Sequence, residues 1–439
     1  MATPTDGRGE HERVADASTV ANTPGPMKAT PLWASMGFTF SASAGSMIVQ
    51  SGIFFLTTST YKFGTVENYA LGVTQGVTYI AGALGAGPLL GLLRRRVPGI
   101  SSRTVLISMM LAMTLLCMVP KVALGGTEAG ATSAHWPIWV LVMVYSPTSG
   151  MLWPMVESYI AGGRSGKSLR STIGWWNVVW SSSLIVSSVL MAPFVKSAAA
   201  DLIFSLSVVH AGCALLVLRF GREPLPHPHE SAHEVPANYP KLLVTFRWLL
   251  PLSYAVTAAM IPFLPTLMNT LEIAVDSHTI FAATWLLFRT AGFVMMERFH
   301  AWHGKWWHPA LAMALTLAGF AAVALCHVAG GAEYGKIILL AGLACFGLGM
   351  AAIYAGAIYY AMEVGQAEVE AGGAHESLIG VGYTVGPAIG LGAALAVEGK
   401  ALRADFLEPA VLVVIAALSV VVAGIVARRI QKLGGGRSA

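Results

Sequence analysis

Charge is scarce in this chain. Of 439 residues only 11% are charged, 22 acidic and 27 basic, while 55% are hydrophobic. The mean hydropathy is +0.65. A soluble domain usually carries about 25% charged residues. The shortfall excludes an ordinary globular surface and reads as a polytopic membrane protein. Cysteine is scarce too. Cys117, Cys213, Cys326 and Cys345 all fall inside apolar runs, without metal-motif spacing or the density of a disulfide framework. Catalytic signatures are missing. GGRSGKS at 162–168 fails the phosphate-loop pattern and lacks the strand that must precede it. No nucleophile–base arrangement, metalloprotease helix or cofactor motif is present, so the chain reads as a non-enzyme without a cofactor. The net charge of +5 is no nucleic-acid signal here, because the basic residues follow topology.

What is abundant is apolar sequence in long runs. A bilayer core takes about 20 residues per helix. Twelve such stretches are expected, at 37–59, 69–92, 103–124, 137–160, 171–194 and 201–219, then 247–270, 278–297, 308–328, 336–361, 376–397 and 407–427. The first, with FTFSASAGSMIVQSG, is rich in Ser and Thr and suits a wet cavity better than lipid. The expected fold class is an all-α integral membrane protein. Its predicted domains are a disordered tail at 1–32, a six-helix bundle at 33–219, a linker at 220–246, a second bundle at 247–428 and a tail at 429–439. The linker is polar and Pro-rich, with a short surface helix expected around Tyr239–Phe246. The N-terminal tail has no apolar core and is not a signal peptide.

The basic residues orient the chain. With the N-terminus inside, 20 Lys and Arg fall on the inner side and 6 on the outer, leaving Arg289 within the membrane. That bias puts both termini in the cytoplasm. One inner segment, 363–376, has no Lys or Arg and several Glu. The halves repeat weakly: RSTIGWWN (170–177) and ESLIGVGY (376–383) share S-x-I-G at the start of the fifth helix of each half.

Twelve spans split six and six, a central inner linker and a parallel repeat resemble the major facilitator superfamily of secondary transporters, over residues 33–430. The superfamily's loop signature, Gly-x-x-x-Asp-Arg/Lys-x-Gly-Arg-Arg/Lys, matches Gly87-Pro-Leu-Leu-Gly91-Leu-Leu-Arg94-Arg95-Arg96, with Gly91 in place of the acid. The equivalent loop of the second half, GFVMMERFHAWHGK, keeps an acid–base pair at Glu297-Arg298. LWPMVESYIAGG followed by RSTIGWWNVVWS is similar to poorly characterised bacterial facilitators. The resemblance implies two bundles rocking about a central site near the bilayer midplane. It places the second helix beside the eleventh and the fifth beside the eighth. It further implies a monomer in a bacterial cytoplasmic membrane, moving a small-molecule solute with or without a coupling ion.

Arg289 is the sharpest candidate. It lies 11 residues into its span, about 16 Å down at 1.5 Å per residue, too deep to snorkel. A guanidinium there suits a carboxylate or phosphate; the bland alternative is an Arg capped by backbone carbonyls or a neighbour's side chain. Polar and aromatic residues at mid-depth complete an expected substrate shell: Gln50, Tyr79, Tyr145, Asn177, Trp180, Tyr254, Tyr354 and Tyr383. Glu157 is expected near the inner surface beside Arg94–Arg96, with proton coupling through it as the alternative. No mid-membrane carboxylate is then left, which favours facilitated diffusion, exchange or coupling through a less central group. At the inner end, family geometry predicts a gate pairing Arg94, Arg95 and Arg96 with Glu376, and Arg170 with Glu297. Histidines in HPHESAH (227–233) and HAWHGKWWH (300–308) match no closed metal site, and none is assigned. A membrane-embedded enzyme on an amphipathic substrate and a transporter-derived sensor or assembly protein are the rival functions. The first needs acids and histidines clustered at one membrane face; the second needs a partner domain or long signalling tail.

Overall fold

A computed structural model of the chain describes residues 29–123, 134–226, 235–364 and 369–435. The expected N-terminal tail, His227, His229 and His233 lie outside those residues, apart from the last few positions of the tail. The described chain is helical throughout, in twelve long helices. The first six are α1 Leu32–Tyr61, α2 Thr65–Arg96, α3 Ser102–Ala123, α4 Trp136–Ala161, α5 Gly166–Met191 and α6 Ala199–Val217. The second six are α7 Tyr239–Met260, α8 His278–Arg298, α9 Trp307–Ala329, α10 Glu333–Val364, α11 Val369–Glu398 and α12 Leu407–Gly435. Eleven are long and apolar enough to cross a membrane. The exception is α4, where Trp, Tyr, Pro and Ser dilute the hydropathy of a 26-residue helix.

Three boundaries differ from expectation. The expected surface helix at Tyr239–Phe246 is the first part of α7, because Pro240 sits in the first turn, where its missing N–H costs nothing. The acidic segment 363–376 is not all loop: α11 begins at Val369, about two turns before Glu376. Between α9 and α10 the chain turns at Gly331, whose φ of 59° favours glycine.

The polar first helix is irregular. Its stretches Met47–Gly52 and Thr57–Tyr61 are π-helical. Such segments leave backbone groups needing partners and recur at functional sites. One is met across the bundle: the Gln75 side chain donates to the Val49 carbonyl at 2.9 Å.

The two halves meet along the pairs the resemblance implied, α2 with α11 and α5 with α8. Glycine allows the approach, as in membrane bundles generally. A Cβ at Gly76 of α2 would strike the backbone of Tyr383 and Thr384 on α11. The two glycines of the S-x-I-G repeat occupy equivalent crossings. Gly174 lies against Glu297 of α8, and Gly380 against Ile80 of α2. The outer surface is left to helices such as α12, with a mean hydropathy of 3.0 over its most apolar window and little of that window buried by protein.

At the Tyr61 end the halves are closed. The Tyr69 hydroxyl donates to the Ala259 carbonyl at 3.0 Å, Pro387 packs on Gly72, and residues 192–194 touch 275–277. At the Arg96 end two cavities, of about 1460 and 1330 Å³, separate them.

Candidate functional site

A central cavity lies between the halves and is lined by both. The π-helical segment of α1 contributes Met47, Gln50 and Ser51, with Ser43 and Ser46 one turn earlier. Tyr79, Trp176 and Trp180 come from α2 and α5; Tyr254, Trp285, Arg289, Tyr354, Glu376 and Tyr383 come from the second half. Of the nine residues expected to form a substrate shell, seven meet here: Arg289, Gln50, Tyr79, Trp180, Tyr254, Tyr354 and Tyr383.

Asn177 and Tyr145 do not. Asn177 accepts a hydrogen bond from the Trp180 indole at 3.0 Å, one turn along α5, and faces the third cavity. It orients Trp180 from behind. Tyr145 is fully buried inside the first half, against His210 at 3.2 Å. Periodicity could not separate the two faces of α4, because both carry apolar residues.

Arg289 is 3% exposed. Its guanidinium carbon lies 4.6 Å from the Trp180 ring centroid and 4.5 Å from that of Trp285. Trp285 precedes it by four residues, so helix spacing puts the two side by side; Trp180 reaches it from the other half. Cation–π contacts of this kind contribute about 0.5–2 kcal/mol each. They do not satisfy the N–H groups, and both Nε and Nη2 have no hydrogen-bond partner. The carbonyl-capped alternative is therefore absent at those two nitrogens.

The remaining wall is a run of aromatic rings joining both halves. Tyr79 packs on Tyr383 at 5.8 Å, Tyr383 on Tyr254 at 5.3 Å, Tyr254 on Tyr354 at 6.4 Å and Tyr354 on Trp180 at 5.4 Å. These spacings suit edge-to-face packing.

Glu376 corrects the expected gate. It is 4% exposed, accepts a hydrogen bond from the Tyr79 hydroxyl and lines the central cavity. Tyr79 lies 15 to 17 residues from Arg94–Arg96 along α2, about 22–26 Å at 1.5 Å per residue, so the basic run cannot reach it. A carboxylate does therefore line the central cavity, where none was expected from the sequence. Arg94 instead pairs with Glu223 of the linker at 2.5 Å, and Glu223 also accepts from the backbone N–H of Ser102 at the start of α3. The linker thus supplies the acid that Gly91 lacks. Arg95 and Arg96 are exposed.

Glu157 is not with the basic run either. It lies against Gly372 of α11 and lines the second cavity with Arg247 and His375. Arg170 pairs with Glu363 at 2.6 Å, not with Glu297. Glu297 packs on Gly174. The acidic segment 363–376 does face a basic group across the halves, through Glu363 at the end of α10. In the loop after α8, His303 stacks on Tyr359 at 4.1 Å. Burial, then the charges of His300 and Arg170, push its pKa down to about 4. Among the described residues no group of three His, Cys, Asp or Glu could hold a metal.

Two six-helix halves enclosing a central cavity, crossing at α2–α11 and α5–α8, define the major facilitator fold, and this chain has it. The crystal structure of nucleoside transporter NupG superposes with a TM-score of 0.58 at 15% identity, over 91% of this chain and 98% of that one. A mutant form of NupG gives 0.60 at 14% identity, over 90% and 99%. The human organic anion transporter MFSD10 gives 0.54 at 13% identity, over 87% and 97%. No protein-family model and no curated protein sequence matches the chain. At these identities the likeness is one of fold.

Proposed function

We propose that this chain is a multi-pass secondary transporter that carries a small organic solute bearing an anionic group, by alternating access between its two halves. Arg289 carries the reading. A guanidinium that is buried, flanked by two indoles and short of hydrogen-bond partners at two nitrogens is a poor structural anchor and a good anion receptor. The aromatic wall suits an organic body better than an inorganic ion, for which more charge would be expected. MFSD10 carries organic anions by its description, which accords with this chemistry.

In this reading residues 33–219 and 247–428 move as the two halves, and Gln50, Tyr79, Trp180, Tyr254, Tyr354 and Tyr383 contact the solute beside Arg289. Arg170–Glu363 is one of the contacts that break and form. The protein is a monomer in a bacterial cytoplasmic membrane with both termini inside. A thermal-shift screen of the detergent-purified protein against carboxylates, phosphates, sugars, nucleosides and cationic drugs tests it. An anionic ligand should stabilise the wild type and lose its effect in Arg289→Ala. Neutral or cationic ligands stabilising both proteins equally would overturn the assignment.

A further inference from the structure

The central cavity holds one basic and one acidic side chain, and they are not paired with each other. Among the described residues Arg289 and Glu376 are its only Asp, Glu, Lys or Arg side chains. Both are more than nine-tenths buried. Nε and Nη2 of Arg289 have no partner, and Glu376 is held by the Tyr79 hydroxyl rather than by the guanidinium. The two come from different helices, α8 and α11, and the Tyr254 and Tyr383 rings pack between α7 and α11 at 5.3 Å.

We infer that the solute is a zwitterion, its acidic group taken by Arg289 and its cationic group by Glu376 within the tyrosine cluster. This inference rests on the transporter reading and on the anion site at Arg289. The physical case is charge balance between two buried side chains. With both side chains ionised the cavity is neutral in sum. A monoanion would add an uncompensated charge where the dielectric is low and the cost high. A zwitterion adds none, and each of its ends meets an opposite charge. Tyr79 donates to one carboxylate oxygen, which fixes the group without neutralising it. The rings of Tyr79, Tyr254 and Tyr383 offer faces to an ammonium, which aromatic clusters attract. An ammonium can also donate to the carboxylate, and charge-assisted bonds of that kind are the stronger ones.

The test uses matched sets in which only the charge pattern changes. One set is phenylalanine, 3-phenylpropanoate and phenethylamine; smaller and larger sets are built on alanine and on alanylphenylalanine. Each compound is titrated into the purified full-length protein by calorimetry, in two buffers of different ionisation heat. In at least one set the zwitterion should bind wild type about tenfold or more tightly than its monoanion. Glu376→Gln, which keeps an acceptor for Tyr79, should erase that preference while monoanion binding persists. Tyr79→Phe should shrink the preference, and it serves as a second probe if the glutamine variant does not fold. A monoanion that binds as tightly as the zwitterion, in wild type and in Glu376→Gln, overturns the inference and leaves the anion site standing. So does a monoanion that binds with uptake of one proton lost in Glu376→Gln, because the carboxyl would then be neutral in the complex. If no acid-bearing member of any set binds in an Arg289-dependent way, the anion site falls as well.

Discussion

Replacing Arg289 by Met separates a receptor from an anchor. Methionine keeps an unbranched side chain that packs between Trp180 and Trp285 and removes the guanidinium. The loss is two cation–π contacts, about 1–4 kcal/mol together. The gain is relief of two buried donors without partners, each costing about 1–3 kcal/mol. These nearly cancel, so ligand-free Arg289→Met should be as stable as wild type, or up to about 2 kcal/mol more stable if the unpaired donors dominate. Binding behaves differently. Two charge-assisted hydrogen bonds to an anion contribute about 3–6 kcal/mol, so the variant should bind an anionic ligand about 10²–10⁴-fold more weakly. The assay is chemical or thermal unfolding of both proteins in the same detergent, with and without the tightest anionic ligand from the screen. A ligand-free variant that is more than about 2 kcal/mol less stable, yet still binds, would refute the reasoning. Arg289 would then hold the helices together. The expected trade, function for stability, is the usual one at sites that keep an unpaired buried group.

The crossing of α2 and α11 should tolerate no side chain at Gly76, since even a Cβ meets the Tyr383–Thr384 backbone. Gly76→Leu should lose the monodisperse peak in gel filtration, and Gly76→Ala should lower the unfolding temperature in line with overpacking of about 1–3 kcal/mol. The Arg170–Glu363 pair is partly exposed on its Arg side, so a double-mutant cycle on unfolding stability should give a coupling of no more than about 1 kcal/mol. A larger value would make it a structural clamp rather than a contact that breaks during transport. His303 stays neutral in the folded protein down to about pH 4, against an ordinary value of 6.5. The unfolded chain takes up that proton first, so the His303 contribution to stability is fully present above pH 6.5 and is lost as pH falls from 6.5 toward 4. Denaturation midpoints across that window should fall less steeply in His303→Gln than in wild type.

Most of the architecture is legible from the order of residues. Hydrophobic runs of bilayer length, the polar linker and the excess of Lys and Arg on one side are local properties of the chain, and they anticipate twelve helices in two sets of six. The cavity-lining place of the first helix is legible as well, because a run of Ser, Thr and Gly is poor material for lipid contact; its π-helical irregularity is not. Arg289 is found by counting 1.5 Å per residue along one helix. That measure works because the helix begins near His278, as its neighbours in sequence indicate.

Glu376 could not be placed in that way. Its depth depends on where α11 starts and on which residue of α2 lies opposite. A run of Ala, Gly and Glu reads equally well as loop or helix. Its partnership with Tyr79 joins residues almost 300 positions apart. The same limit applies to Arg94, whose acid comes from the linker, and to Arg170, whose acid comes from the end of α10. The sequence alone determined which side chains are too costly to leave in hydrocarbon, since that depends only on length and composition. Tertiary packing alone decided which of them meet. An ion pair or hydrogen bond forms within about 3 Å, and only the crossing of helices from both halves sets distances that fine.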